Sequence, residues 1–157
     1  MPSGPQYVMV LSTAAYLSAP SYERSTVVNT DDRFRISETL ALHAHLVDED
    51  QLDRLDELFT PDAVYDMSAS GIGVFEGRES IRAAAAEMAR TGHSPVAHFL
   101  TNVVITSTAK DEATARSKGL MIMADGQPLA VNHDDVLRRH DGAWRISRRT
   151  ITPSRQA

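Results

Sequence analysis

Apolar residues recur at helical spacing over residues 31–47, and polar residues occupy the opposite side of the same stretch. Residues three or four apart are neighbours on a helix surface, so this pattern predicts an amphipathic helix with Asp31 or Asp32 as its cap. The predicted stripe consists of Ile36, Leu40, His43 and Val47. A histidine within an apolar stripe indicates that the ring of His43 faces the protein interior.

Two more helices are predicted farther along the chain. Leucine and phenylalanine side chains give residues 51–59 a short apolar face, with Asp50 as the capping residue. Residues 78–90 are rich in alanine and other strong helix formers, and Gly92 follows as the residue that ends the helix.

Six segments have the pattern of β-strands, and the last four follow one another without a helix between them. Asp-Gly pairs at 125–126 and 141–142 are strong hairpin signals, so these four strands form an antiparallel meander. The predicted strands are residues 63–67, 74–76, 97–108, 112–125, 128–140 and 143–152. Helices followed by a run of strands indicate an α+β fold, with the helices packed on one face of a curved sheet that leaves a hollow.

Residues 1–30 differ from the rest of the chain, since they contain three prolines, many Ser and Thr residues and little periodicity. We interpret them as an N-terminal arm or disordered extension, and residues 31–157 as one domain. Residues 7–19 are apolar, but no Lys or Arg precedes them, whereas a secretory signal begins with a positive region. We therefore expect a cytoplasmic protein.

The composition excludes several classes of function. The net charge is −5 and the basic residues are scattered, which argues against nucleic-acid binding. No apolar run is long enough to cross a membrane. Because the chain of 157 residues has no cysteine, disulfides, zinc–thiolate sites and thiol nucleophiles are excluded.

A histidine opens the first strand of the meander. Strand side chains alternate between two faces, so His98, Leu100 and Asn102 are predicted to share a buried face. Asn102 could hold a substrate carbonyl or a water there, or it could simply bond the backbone at a bulge. Asp48, at the end of the first helix, is a plausible partner for the imidazole. An imidazole titrates near neutral pH and suits proton abstraction, and a carboxylate bound to one ring nitrogen leaves the other basic. The alternative is a structural histidine beside an aspartate that merely caps the next helix.

Other side chains at the predicted hollow could contribute to binding or catalysis. His133 is either a second acid for a leaving hydroxyl or a core histidine, and His43 approaches from the helix. Tyr65 could donate a hydrogen bond to an enolate oxygen, or it could simply pack with a solvated hydroxyl. Arg149 could stabilise negative charge, although a run of arginines is usually the solvated face of a meander. Met121 is expected to line the pocket.

We predict neither a metal nor a cofactor. His43 and His45 are two residues apart on a helix, so their rings point to different sides. A carboxylate–imidazole pair already accounts for Asp48 and His98, and no His-Glu-x-x-His pattern is present.

Several short motifs occur in an order that is fairly specific. They are the helix that ends in Asp48, Leu55-x-x-Leu58-Phe59-x-Pro61-Asp62-Ala63, Gly77-Arg78-Glu79-Ser80-Ile81, His98-x-x-Thr101-Asn102 and Asp141-Gly142-x-Trp144. Over residues 33–153 this pattern resembles the SnoaL-like branch of the nuclear transport factor 2-like superfamily. That branch includes scytalone dehydratase, bile acid 7α-dehydratase, hexachlorocyclohexane dehydrochlorinase and the polyketide cyclases.

The resemblance implies an α+β cone in which a curved, mixed sheet wraps around three helices and encloses an apolar pocket. It assigns His98 and Asp48 as a catalytic pair at the floor of the pocket. It also implies that the wall is formed by Gly119, Met121, Leu129, Val131, His133 and Arg149. His133 stands where the dehydrochlorinase has an apolar residue, so that enzyme's substrate is not implied.

The function that follows is cofactor-independent dehydration, isomerisation or cyclisation of a small apolar carbonyl compound, polyketide or steroid-like. The alternative is a small-ligand-binding or assembly subunit without chemistry, since one fold supports many functions. The resemblance also implies a homodimer or homotrimer, because the convex face of such sheets commonly pairs.

Overall fold

The computed structural model describes residues 29–154. The predicted N-terminal arm, residues 1–30, therefore lies almost entirely outside the described residues. Within residues 29–154, no helix has the length and apolar character needed to cross a membrane.

Helix α1 spans Thr30–Asp48 and packs against the sheet. Its cap is Asn29, whose side chain accepts a hydrogen bond from the backbone N–H of Asp32 at 2.8 Å. The predicted caps Asp31 and Asp32 are wrong, because both lie inside the first turn, where the helix dipole favours carboxylates. The predicted stripe faces inward, and its buried members are Ile36, Leu40 and His43.

The second predicted helix is a short 3₁₀ helix, Leu52–Glu57, which leads directly into a strand. Asp50 does not cap it, because its φ of 55° places it in the left-handed turn after α1, and Gln51 precedes the helix instead. Helix α2 spans Arg78–Arg90 as predicted. Gly92, with a φ of 71°, follows its end.

The strands of the described residues form one sheet of six, and a 3₁₀ helix, Ser68–Ser70, connects the first two. The strands are β1 (Phe59–Asp66), β2 (Val74–Glu76), β3 (Ala97–Ala109), β4 (Glu112–Ile122), β5 (Pro128–His140) and β6 (Ala143–Pro153). Their order is β2-β1-β6-β5-β4-β3, and only β1 and β6 run parallel. The last four strands form the predicted meander, whereas β1 begins four residues earlier than predicted. The mixed sheet is open, with β2 and β3 as its edges.

A bulge in β3 changes which side chains face the helices. The pairing of β3 with β4 shifts between Thr101 and Val104, and Asn102 has a φ of 55°. An extra residue in one strand reverses the alternation beyond it. Val103 and Ile105 consequently pack on the core, as Leu100 does, while Asn102 is exposed. The prediction that Asn102 shares the face of His98 is wrong for this reason.

The apolar core lies between α1, α2 and the sheet. Its largest members, including Trp144 and Phe59, are at most 1% exposed. The Trp144 indole N–H donates to Asp32 at 3.0 Å, which joins the start of α1 to β6. Leu40, Phe59 and Ile81 belong to the core and also line a cavity, so the cavity wall is continuous with the core.

Candidate active site

A cavity of about 190 Å³ lies between the helices and the sheet. Helices α1 and α2 line one side, and β3, β4 and β5 line the other. Its walls are mainly aliphatic, methionine and phenylalanine side chains, and none of the described residues that line it is Lys, Arg, Asp or Glu. The polar groups in the wall include two buried imidazoles, His43 and His133, and two partly buried side chains, Tyr65 and His98. This composition suits an uncharged ligand with a few polar atoms.

His98 and Asp48 meet at the cavity wall. The ring Nδ1 of His98 lies 2.5 Å from one carboxylate oxygen of Asp48, and the backbone N–H of His98 donates to the other at 2.8 Å. The two side chains are only 17% and 22% exposed. Asp48 ends α1, where the helix dipole disfavours a negative charge, and two hydrogen bonds from one residue offset that penalty. Because a carboxylate accepts, Nδ1 donates and Nε2 is the basic nitrogen.

His43 is surrounded by rings. It stacks on Tyr65, with ring centroids 6.0 Å apart, and meets the edges of Phe59 and His98 at 6.2 and 6.1 Å. Burial lowers the pKa of His43 well below 6.5, and the positive charge of Arg149 lowers it further. His43 is therefore a neutral imidazole near pH 7, and its Nε2 lies 3.4 Å from the Tyr65 hydroxyl.

His133 is the second buried imidazole of the cavity. Its Nδ1 is 3.3 Å from the hydroxyl of Ser117 on the neighbouring strand. Burial lowers the pKa of His133 to about 3, with smaller contributions from the charges of Arg149 and His98. A neutral imidazole still carries one N–H, so His133 can donate a hydrogen bond without adding a charge.

Gly119 makes room for this ring. A Cβ atom at Gly119 would lie 2.7 Å from both His133 Cε1 and Val131 Cγ2, closer than carbon atoms approach. The absence of a side chain on β4 therefore admits the imidazole from β5. The sequence alone does not indicate this role of Gly119, because its backbone has an ordinary strand conformation rather than the positive φ that usually explains a glycine.

Arg149 is fully buried and binds Asp135 through two hydrogen bonds, Nε to Oδ1 at 2.7 Å and Nη2 to Oδ2 at 3.0 Å. The expectation of a solvated face does not hold for Arg149, because strand alternation turns it inward while Arg148 points outward. Sequence reasoning missed Asp135. The signal was present, since Asp135 lies two residues after His133 and therefore on the same face of β5.

Residues 28–150 match the family described as the SnoaL-like domain. The chain belongs to the SnoaL-like family. An uncharacterized relative from Mycobacterium tuberculosis, Rv2910c, is 33% identical over 138 residues, which cover 81% of this chain and 88% of the relative. The predicted resemblance is thereby confirmed.

Two solved structures share this fold. An NTF2-like protein with a cystatin-like fold from Novosphingobium aromaticivorans is 26% identical, with a TM-score of 0.70 and coverage of 81% of this chain and 84% of that one. A proposed scytalone dehydratase from the same species is 20% identical, with a TM-score of 0.70 and coverage of 82% and 87%. These likenesses confirm the predicted α+β cone of the SnoaL-like family.

Within this SnoaL-like domain, the predicted site residues divide into three groups. The cavity wall includes His43, Tyr65, His98, Met121 and His133. Asp48 and Arg149 lie behind the wall, in contact with His98 and Asp135. Asn102 is outside the cavity on the exposed bulge, where its side-chain oxygen accepts a hydrogen bond from Thr101 at 3.1 Å. In residues 29–154, no three His, Asp or Glu side chains converge as metal ligands would.

Proposed function

We propose that this SnoaL-like protein is a cofactor-independent acid/base enzyme, a dehydratase, isomerase or cyclase that acts on a small, apolar carbonyl compound of polyketide or steroid type. The observation that carries the proposal is the double hydrogen bond from His98 to Asp48 at the wall of an apolar cavity. A held imidazole with one free nitrogen is the arrangement that a general base requires.

In the proposed first step, Nε2 of His98 removes a proton from the carbon next to the substrate carbonyl. The electron pair of that C–H bond forms a carbon–carbon double bond, and the π electrons of the carbonyl move to its oxygen, which gives an enolate. Asp48 stabilises the imidazolium that results. The enolate then expels a β-hydroxyl, which leaves as water with the proton held by His98. If a second double bond is conjugated with it, the enolate instead takes that proton back at the γ-carbon. It can also attack a second carbonyl of the substrate, whose oxygen then takes the proton from His98. These outcomes are dehydration, isomerisation and cyclisation.

The enolate oxygen needs hydrogen-bond donors that are already in place. Tyr65, His43 and His133 are the candidate donors in the cavity wall, and His43 and His133 are neutral because burial depresses their pKa values. Neutral donors can stabilise an oxyanion by hydrogen bonding. They also keep buried charge out of the cavity, which suits an uncharged substrate. The likeness to a proposed scytalone dehydratase is consistent with this chemistry.

Hydrogen–deuterium exchange tests the proposal without knowledge of the product. The protein is incubated in D₂O with a panel of uncharged cyclic ketones and β-hydroxyketones, and NMR follows loss of the α-proton signal. We expect the wild type to accelerate exchange for some members, and His98→Gln to lose about 10²–10⁴-fold of that rate. His45→Gln, which changes an exposed histidine on α1, is the matched control.

Two results would contradict the proposal. One is exchange by His98→Gln at the wild-type rate. The other is tight binding of a ketone by the wild type with neither exchange nor turnover, which would indicate the non-catalytic ligand-binding alternative.

We further propose a cytoplasmic homodimer or homotrimer, and light scattering after size-exclusion chromatography measures the oligomeric state.

A further inference from the structure

Three polar side chains form a row across the middle of the sheet. Asp135 on β5 is the register partner of Arg149 on β6, and Arg149 is the register partner of Tyr65 on β1. Directly paired residues project to the same face of a sheet with their side chains in contact range. The row therefore runs from a buried ion pair to a residue of the cavity wall.

One nitrogen of the Arg149 guanidinium, Nη1, does not bind Asp135. Asp135 accepts hydrogen bonds from Nε and Nη2, while Nη1 is buried and has no hydrogen-bond partner at ordinary distance among the described residues. A buried donor without an acceptor is unfavourable, because it loses its hydrogen bonds to water and gains none in return. The next side chain in the row is Tyr65, whose hydroxyl lies 3.4 Å from Nε2 of His43.

We propose that Arg149 is a positioning residue for Tyr65: its Nη1 faces the phenol oxygen, leaves the hydroxyl hydrogen free to point into the cavity, and stabilises the negative charge that the phenol shares when it binds an enolate. Asp135 holds the guanidinium in the orientation that this requires. The role within the reaction rests on the proposed function, whereas the contact between Arg149 and Tyr65 does not.

The electrostatics of the row agree with this geometry. Burial raises the pKa of Tyr65, and the positive charge of Arg149 opposes that rise, while the negative charge of Asp135 adds to it. His43 faces the hydroxyl from α1 and is neutral, because burial lowers its pKa. Arg149 is therefore the cationic neighbour that makes the phenol a better donor.

Fluorotyrosine labelling tests the contact without a substrate. Fluorotyrosine is more acidic than tyrosine, so it titrates before alkali unfolds the protein, and ¹⁹F NMR follows each ring. The chain has four tyrosines, and comparison with Tyr65→Phe assigns the signal. In Arg149→Met combined with Asp135→Leu, which removes the ion pair as a unit, we expect the acidity of this phenol to fall about tenfold. In Asp135→Asn, which leaves the guanidinium unneutralised, the acidity should rise.

Arg148→Met is the matched control, because Arg148 is the next residue along β6 but points to the exposed face. It should leave the titration of Tyr65 unchanged. An unmoved midpoint in the folded double variant, or in Asp135→Asn, overturns the proposal whatever the enzyme's activity proves to be.

A second measurement needs no change to the ion pair. In the wild type, the Nη–H protons of Arg149 should exchange with solvent about ten times more slowly than in Tyr65→Phe, which keeps the ring and removes only the hydroxyl. Equal exchange rates would show that Nη1 does not bind the phenol, and this result also overturns the proposal.

Discussion

The carboxylate of Asp48 accepts two hydrogen bonds from one residue, His98, through the ring Nδ1 at 2.5 Å and the backbone N–H at 2.8 Å. The backbone contact fixes the start of β3 relative to the end of α1, and the ring contact fixes the tautomer of the imidazole. One aspartate thus sets both the position and the chemical state of the candidate base, although the two residues are 50 positions apart in the chain.

Asp48→Asn should reduce catalysis more than it reduces stability. The amide can accept one hydrogen bond from His98 but cannot stabilise an imidazolium with a full negative charge. We expect proton abstraction to slow by about 10²–10⁴-fold. Nitrogen NMR of the ring should show Nδ1 protonated in the wild type and a mixture of tautomers in the variant. Glu49→Gln, which changes an exposed neighbouring carboxylate, should alter neither property.

The free energy of unfolding should depend strongly on keeping both partners of the buried ion pair between Asp135 and Arg149. Asp135→Leu leaves the guanidinium of Arg149 buried without a counter-charge and should lower the free energy of unfolding by about 3–5 kcal/mol. Combining it with Arg149→Met should restore most of that loss, since neither charge then remains. Chemical denaturation, followed by the fluorescence of the single tryptophan, Trp144, measures both effects.

The residue before Asp135 supplies the control for this stability prediction. Asp134 forms an ion pair with Arg116 on the outer face, where both side chains are more than half exposed. Asp134→Leu should change the free energy of unfolding by no more than about 1 kcal/mol. Similar losses for the two aspartates would contradict the assignment of Asp135 to a buried pair.

Periodicity and turn chemistry predicted most of this fold, because the meander of strands and the two long helices are determined by local patterns. The pairing of Asp48 with His98 was also predictable, since both lie at the ends of clear elements. A bulge at Asn102 was only one of two alternatives that the sequence left open, because the choice depends on how β3 pairs with β4. Asp135 was missed for a different reason: the arginine run around Arg149 suggested a solvated face, and a buried cation is identified only once its partner is known.

Gly119 should tolerate no side chain. Gly119→Ala places a methyl group 2.7 Å from atoms of His133 and Val131, so we expect a loss of about 1–3 kcal/mol in the free energy of unfolding. The displaced imidazole should also weaken binding of any ligand that fills the cavity. Denaturation curves and ligand titrations measure the two effects.

Val131→Ala tests whether steric crowding causes the loss of stability that we expect in Gly119→Ala. This change removes the Cγ2 atom that the new methyl group would meet. The double variant should therefore lose less stability than the sum of the two single variants. Simple additivity would mean that the effect of Gly119→Ala has another origin.

Stability should fall as the pH falls through the range in which histidines of an unfolded chain take up protons. Burial lowers the pKa of His133 to about 3 and that of His43 well below 6.5, so the folded protein binds these protons less readily than the unfolded chain does. Their contribution is fully present above about pH 6.5 and declines below it, approaching about 1.4 kcal/mol per pH unit for each histidine. Denaturation curves between pH 7 and pH 5 measure this slope, since carboxylates titrate mainly below that range.

His133→Leu should remove about half of this slope, because an apolar side chain cannot take up a proton in either state. A slope that His133→Leu does not alter would mean that this imidazole takes up its proton as readily in the folded protein as in the unfolded chain. His133 would then become a cation in the cavity wall below about pH 6.5 rather than remain a neutral donor.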